Sequence, residues 1–145
     1  MYPGLVHLHS GLRWIVLILL VIAIVNAALK MSGTKDFTPQ DRRWNLFAMV
    51  GTHLQLVIGL VLYFISTKVS FTEGFMKNEM IRFYTVEHIS VMIIGIILIT
   101  IGYSRAKRQT VSRSKFRTTF WFYAIGLVVI LSRIPWPGTY GAGWG

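Results

Sequence analysis

One pattern recurs four times along the chain: a long run of apolar side chains, closed at each end by a short polar stretch. A helix needs roughly 20 apolar residues to cross the hydrocarbon layer of a bilayer. Four stretches reach about that length, and they predict helices over Leu5–Leu29, Trp44–Ser66, Met80–Tyr103 and Thr118–Ile134. Ser32–Gly33 and Pro39 mark the first loop, and Pro135 and Pro137 stop the fourth helix because neither donates a helical hydrogen bond. Trp14–Leu29 and Ile89–Tyr103 carry no charged residue and are largely apolar on every helical face. An amphipathic helix of a soluble protein would instead show a polar stripe every three or four residues. The pattern therefore predicts an all-α, up-and-down transmembrane four-helix bundle, a single integral membrane domain over 1–145 in contact with the lipid bilayer.

Composition agrees: 54% of the 145 residues are hydrophobic and 14% are charged, too apolar for a domain with a solvated surface. No charged side chain precedes His7 and the first apolar run is too long for a secretory signal, so a retained helix is expected. With no cysteine, disulfides, cysteine-held iron–sulfur clusters and thiolate chemistry are excluded. No internal repeat suggests an inverted-repeat transporter. The glycine-rich tail Gly138–Gly145 predicts a flexible end.

The net charge of +10 matters for where it sits. Loop three, Ser104–Arg117, carries Arg105, Lys107, Arg108, Arg113, Lys115 and Arg117 with no acid. Loop one has Lys30, Lys35, Arg42 and Arg43 against Asp36 and Asp41, whereas loop two has Lys68 and Lys77 against Glu73 and Glu79. Basic loops stay in the cytoplasm, so loops one and three are expected inside and both termini on the outer, periplasmic side. Attraction to anionic headgroups accounts for loop three, and no nucleic-acid partner is expected. Trp44, Trp121 and Trp136 lie near segment ends, where aromatic rings favour the interface.

Ionisable side chains within a bilayer are costly and point to function. The candidates are His7, His9 and Arg13 on the first helix, His53 on the second, Arg82, Glu87 and His88 on the third, and Arg133 at the end of the fourth. All four histidines fall within or beside a membrane helix. Neutral imidazole is a good axial ligand of haem iron, and a low-spin electron-transfer haem takes one ligand on each face. Bundle interiors supply such pairs when histidines project from facing helices at similar depth. His88 leads, because Gly95 and Gly102 follow it on nearly the same face and would let a flat macrocycle or another helix approach.

The partner of His88 is open at this level. Counting about 1.5 Å per residue puts His88 roughly 5 Å and His9 about 12 Å outward of the midplane, with His53 about 3 Å inward. Helices one and three are diagonal in an up-and-down bundle, which favours His9; helices two and three are adjacent, which allows His53. Four histidines would suffice for two haems, but His7 and His9 point in nearly opposite directions on a helix, so one haem is the expected count. Arg13 lies one turn after His9 on the same face. Arg13, Arg82 and Arg133 would each pair with a haem propionate or a quinone headgroup, or snorkel to the interface. Glu87 would orient an imidazole, accept a proton or pair with an arginine. Asn26 and Gln55 are expected to hydrogen-bond between helices.

The blocks His7-Leu-His-Ser-Gly-Leu-Arg-Trp14, Thr52-His-Leu-Gln-Leu-Val-Ile-Gly59, Arg82-Phe-Tyr-Thr-Val-Glu-His88 and Ile134-Pro-Trp-Pro137 resemble those of small four-helix bacterial membrane proteins known as cytochrome b. The likeness spans nearly the whole chain in order. It implies a multi-pass protein of the bacterial inner membrane that holds haem b non-covalently, with His9, His53 and His88 as leading ligands and His7 in reserve. Covalent attachment is excluded, since no Cys-x-x-Cys-His motif is present. A looser similarity, the histidine near the start of helix one, is to the membrane protoporphyrinogen oxidases.

The leading expectation is a membrane cytochrome that relays electrons, with quinol or a partner subunit as the exchange partner and no catalytic residue of its own. Its cofactor-binding residues would be His9, His53, His88, Arg13 and Arg133, the three histidines serving as metal ligands. The alternatives are a haem-dependent oxidase acting on a porphyrin-like substrate, with Glu87 as acid or base, and a non-redox assembly factor or carrier holding copper or zinc through His7 and His9. A homodimer is compatible with so small a chain.

Overall fold

A computed structural model describes residues 2–143, and every long element in it is helical. We number the helices α1 (Tyr2–Lys30), α2 (Pro39–Ile65), α3 (Glu79–Arg108, with a π-helical turn at Phe83–Glu87) and α4 (Ser112–Leu131). A 3₁₀ turn, Phe75–Lys77, lies between α2 and α3. All four helices are long and apolar enough to cross a membrane.

Helix ends depart from the expected bounds because apolarity marks the bilayer core, whereas caps set where a helix stops. Helix α2 starts at Pro39, before Trp44, because Thr38 and Asp41 form a capping box with proline in the first turn. The Thr38 amide donates to Asp41 Oδ2 at 2.8 Å, and the Asp41 amide donates to Thr38 Oγ1 at 3.4 Å. Helix α3 runs past Tyr103 to Arg108, and the cations Arg105, Lys107 and Arg108 in its last turn favour the negative end of the helix dipole. Helix α4 begins at Ser112 and ends at Leu131, before Ile134.

The helices form a bundle in which α1 touches α2 and α4, α3 touches α4, and α2 and α3 are the most loosely packed neighbours. Helices α1 and α3 lie diagonally. Both termini and the 66–78 connection share one end, and the two basic loops share the other. The interior favours small side chains: Ala23, Ala27 and Ala48 are fully buried, while Ile18 (59% exposed), Leu29 (77%) and Phe64 (82%) point outward. This reversal of soluble packing suits a hydrocarbon solvent, where association depends on close approach rather than on removing apolar surface from water.

Gly95 and Gly102 admit a neighbouring helix rather than a macrocycle. A methyl group on Gly95 would lie 2.6 Å from Ile130 Cγ1 and 3.1 Å from the Gly126 carbonyl, and one on Gly102 would collide with Phe122. Gly95→Ala is therefore expected to lower stability in detergent by about 1–3 kcal/mol. A thermal unfolding curve unchanged from wild type would contradict this contact.

Polar contacts join the helices at the basic end. Asp41 is 1% exposed and takes Lys30 Nζ at 2.6 Å and Asn26 Nδ2 at 2.9 Å on Oδ1. Buried Tyr123 donates to the Asn45 carbonyl at 2.7 Å, and Asn45 Nδ2 donates to Thr119 Oγ1 at 3.2 Å. Toward the opposite end, Gln55 Nε2 joins α2 to α1 through the His9 carbonyl at 2.7 Å.

The tail differs from the flexible end that its glycines predict. Gly138 and Gly141 adopt positive φ (86° and 75°), which folds the segment back on the bundle. Tyr140, also at positive φ, stacks on Phe83 at 4.0 Å, and Tyr84 Oη donates to the Tyr140 carbonyl at 2.9 Å. Ring stacking and hydrogen bonds offset the freedom that glycine gives an isolated chain. The last two positions of the predicted tail, 144–145, lie outside the described residues.

Candidate functional site

At the end bearing both termini, the loose α2–α3 packing leaves a cavity of about 200 Å³ between the helices. One water needs roughly 10–15 Å³ by such a measure, so the space holds far more than a few solvent molecules. Its deeper wall is apolar, from Leu17, Met92, Ile96 and Ile130. His9 and His88 face into it from the diagonal helices, their ring centres 6.4 Å apart and their planes at 88°.

Each ring is held by the local fold. His88 directly follows the π turn, whose extra residue redirects the helix face it begins. That turn is tied down by Tyr63, which donates to the Thr85 carbonyl at 2.8 Å, and by the Ser70 amide, which donates to Thr85 Oγ1 at 3.0 Å. His88 Nδ1 lies 2.8 Å from the Arg133 carbonyl. A carbonyl only accepts, so Nδ1 carries the proton and the lone pair resides on Nε2. His9 is set in register by the bond from Gln55 to its carbonyl, and its ring packs closely on Gly59: a methyl group there would lie 3.1 Å from His9 Cε1. His9 Nδ1 is buried with no hydrogen-bond partner among the described residues.

The remaining sequence candidates lie elsewhere. His53 Nε2 is 2.8 Å from Thr100 Oγ1, and Thr100 lies about 18 Å along α3 from His88 at ~1.5 Å per residue. His53 does not line the cavity. His7 is exposed on a different face of α1 from His9, so the two do not converge. The Arg133 carbonyl reaches His88, but its guanidinium turns to Glu87 Oε1 at 3.6 Å. Arg82 Nε meets Glu87 Oε2 at 3.1 Å, a five-residue spacing that the π turn brings together. Glu87 is thus held by two arginines rather than by the imidazole beside it in sequence.

Arg13, in contrast, lines the cavity and is 7% exposed. Its guanidinium donates to the Pro135 carbonyl at 3.0 Å and the Gly143 carbonyl at 3.2 Å, which docks the tail over the cavity mouth. Sequence reasoning missed Lys68 and Tyr84 as lining residues. Lys68 Nζ sits 4.9 Å from the Tyr84 ring centre and 3.5 Å from the Gly141 carbonyl. In sequence Lys68 is one loop charge among several, and nothing in its surroundings marks it.

The depth count misjudged the pair. Both helices extend beyond their apolar stretches, which moves the middle of α3 toward Arg108 and that of α1 toward Tyr2. Relative to those middles His88 shifts outward and His9 inward, which brings them within about 2 Å of the same depth.

Two imidazoles ligating one metal from opposite sides through bonds of about 2 Å hold their ring centres roughly 6–6.5 Å apart. The observed separation falls in that range, beside a buried ring nitrogen without a partner and an apolar cavity. Among the described residues no group of three or more His, Asp or Glu gathers to hold a bare metal ion. A haem asks the protein for only two ligands, because the macrocycle supplies the rest. No family model matches the chain, and no curated protein or solved structure matches it.

Proposed function

We propose that the chain is a membrane b-type cytochrome, of the small cytochrome b kind, that binds one haem b between His9 and His88 and relays electrons. The observation that carries this reading is the pair of imidazoles 6.4 Å apart across an apolar cavity, one of them with its Nδ1 proton fixed by a carbonyl. When bound, the haem supplies a one-electron couple between ferrous and ferric iron, tuned by ligation and burial.

The chain's own residues do the rest. His88 presents Nε2 because the Arg133 carbonyl holds Nδ1, the outer-shell contact that makes an imidazole more basic and fixes its plane. His9 is pinned from behind by Gly59 and through its backbone by Gln55. Leu17, Met92 and Ile96 keep water from the deeper wall. His53 stays outside the ligand set, as an interhelical contact to Thr100.

The basic loops orient the bundle with that end in the cytoplasm and both termini outside, in keeping with a bacterial inner membrane. The cavity would then lie near the periplasmic face, where quinol or a partner subunit would exchange electrons with it.

The test is the visible spectrum of the detergent-purified protein, oxidised, dithionite-reduced and then exposed to carbon monoxide. A sharp reduced α-band that carbon monoxide leaves unchanged is expected, because His9 and His88 would both hold the iron and leave no open site. A band shifted by carbon monoxide would point instead to an open coordination site and a haem-dependent oxidase. No haem uptake on reconstitution would end the haem reading.

A further inference from the structure

Among the described residues, the loosely packed neighbours α2 and α3 are tied by side-chain hydrogen bonds at two levels. His53 meets Thr100 Oγ1 at 2.8 Å toward the basic end, and Tyr63 donates to the Thr85 carbonyl at 2.8 Å toward the termini. The rise from His53 to Tyr63 is about 15 Å along α2. Between these ties the cavity is lined by Leu56 and Leu62 of α2 and by Ile89 and Met92 of α3, all partly exposed. Val57 and Ile93, which follow Leu56 and Met92 in sequence, point outward (58% and 36% exposed). Gln55, the polar side chain of α2 between the ties, turns its amide to the His9 carbonyl. The cavity wall and the lipid-facing surface therefore meet along an apolar seam. A gap there suits hydrocarbon, because each helix satisfies its own backbone.

The end toward water is covered instead. Tyr140 stacks on Phe83 at 4.0 Å, Tyr84 Oη donates to the Tyr140 carbonyl at 2.9 Å, and Tyr2 Oη lies 3.1 Å from Ser66 Oγ. We propose that the cavity opens sideways into the hydrocarbon between α2 and α3, so that its ligand arrives dissolved in the bilayer. In the haem-free chain the same opening admits lipid acyl chains, which the ligand displaces. The class of ligand it takes is a lipid-soluble ring thin enough to pass between two helices. That this ring is haem rests on the function proposed above, whereas the route rests on how α2 packs against α3.

The test places the full-length haem-free protein in phosphatidylcholine vesicles whose lipid carries a diazirine partway along one acyl chain. After illumination, labelled residues are mapped by peptide mass spectrometry, with and without saturating haem. Val57 and Ile93 face lipid and should be labelled in both samples. Val16, Ile96 and Ile130 are buried and line the cavity, so an acyl chain reaches them only from within it. They should be labelled in the haem-free sample, and at least about tenfold less once haem in large excess over its Kd fills the site. Labelling confined to the outward residues would overturn the sideways opening, and a haem α-band in the same vesicles would leave the haem reading intact. Labelling of the three that persists with haem bound would also overturn it, because ring and lipid would not share the cavity. Labelling of the three with no haem uptake would keep the opening and end the haem reading. Wild type alone is used, so no variant has to fold.

Discussion

Haem binding is expected to collapse in His88→Ala: the variant should purify without the reduced α-band, with affinity weakened by more than about 100-fold. Loss of a mere outer-shell partner of a metal ligand costs 10–100-fold, and the ligand itself is worth more. His9→Ala should lose the low-spin spectrum in the same way, since it removes the facing ring 6.4 Å from His88. His53→Ala supplies the contrast. Its imidazole is engaged with Thr100, away from the cavity, so the variant should keep the full haem complement. Haem content per chain across the three variants checks the set. Full retention by His88→Ala would remove His88 from the ligands, and loss in His53→Ala would restore the alternative that the sequence left open.

The second large effect is on stability. Asp41→Ala is expected to destabilise the bundle by about 3 kcal/mol, because it strips the partners from Lys30 and Asn26 and ends the Thr38 capping box. Asp41 is 1% exposed, whereas the Lys30 side chain is 26% exposed and can turn to water once its partner is gone, which keeps the effect near the lower end for buried pairs. Thr38→Ala removes only the cap and should cost about 1 kcal/mol. Thermal unfolding of both variants in one detergent measures the difference. Equal, small shifts would mean that Asp41 contributes only through the cap of α2, and that its contacts to Lys30 and Asn26 on α1 add no stability.

The four helices are legible in the sequence because a helix able to cross hydrocarbon must be long and mostly apolar, which Trp14–Leu29 and Ile89–Tyr103 display without a single charge. Helix ends are less legible, since they depend on single contacts such as Thr38 with Asp41. The bundle's diagonal arrangement is enough to favour His9 as the partner of His88, but His53 competes until the helix middles are known. Glycine spacing after His88 is visible and ambiguous in sequence: Gly95 and Gly102 read equally as room for a ring or for a helix, and Ile130 and Phe122 fill that room.

What the sequence hides is long-range. The π turn at Phe83–Glu87 has no local signature, yet it sets where His88 faces and brings Arg82 to Glu87. Glycines in the tail predict freedom, whereas Tyr140 on Phe83 and Arg13 on the Gly143 carbonyl remove it. Lys68 reaches the cavity mouth only because the connection after α2 folds over Tyr84. Each of these depends on residues far apart in the chain, where periodicity carries no information.

That the chain holds a single haem b is tested most directly by a pyridine haemochrome assay on the full-length protein purified in detergent and saturated with haem. A b-type haemochrome at one haem per chain is expected. A chain that takes up no haem under these conditions, or a stoichiometry of two, would contradict it.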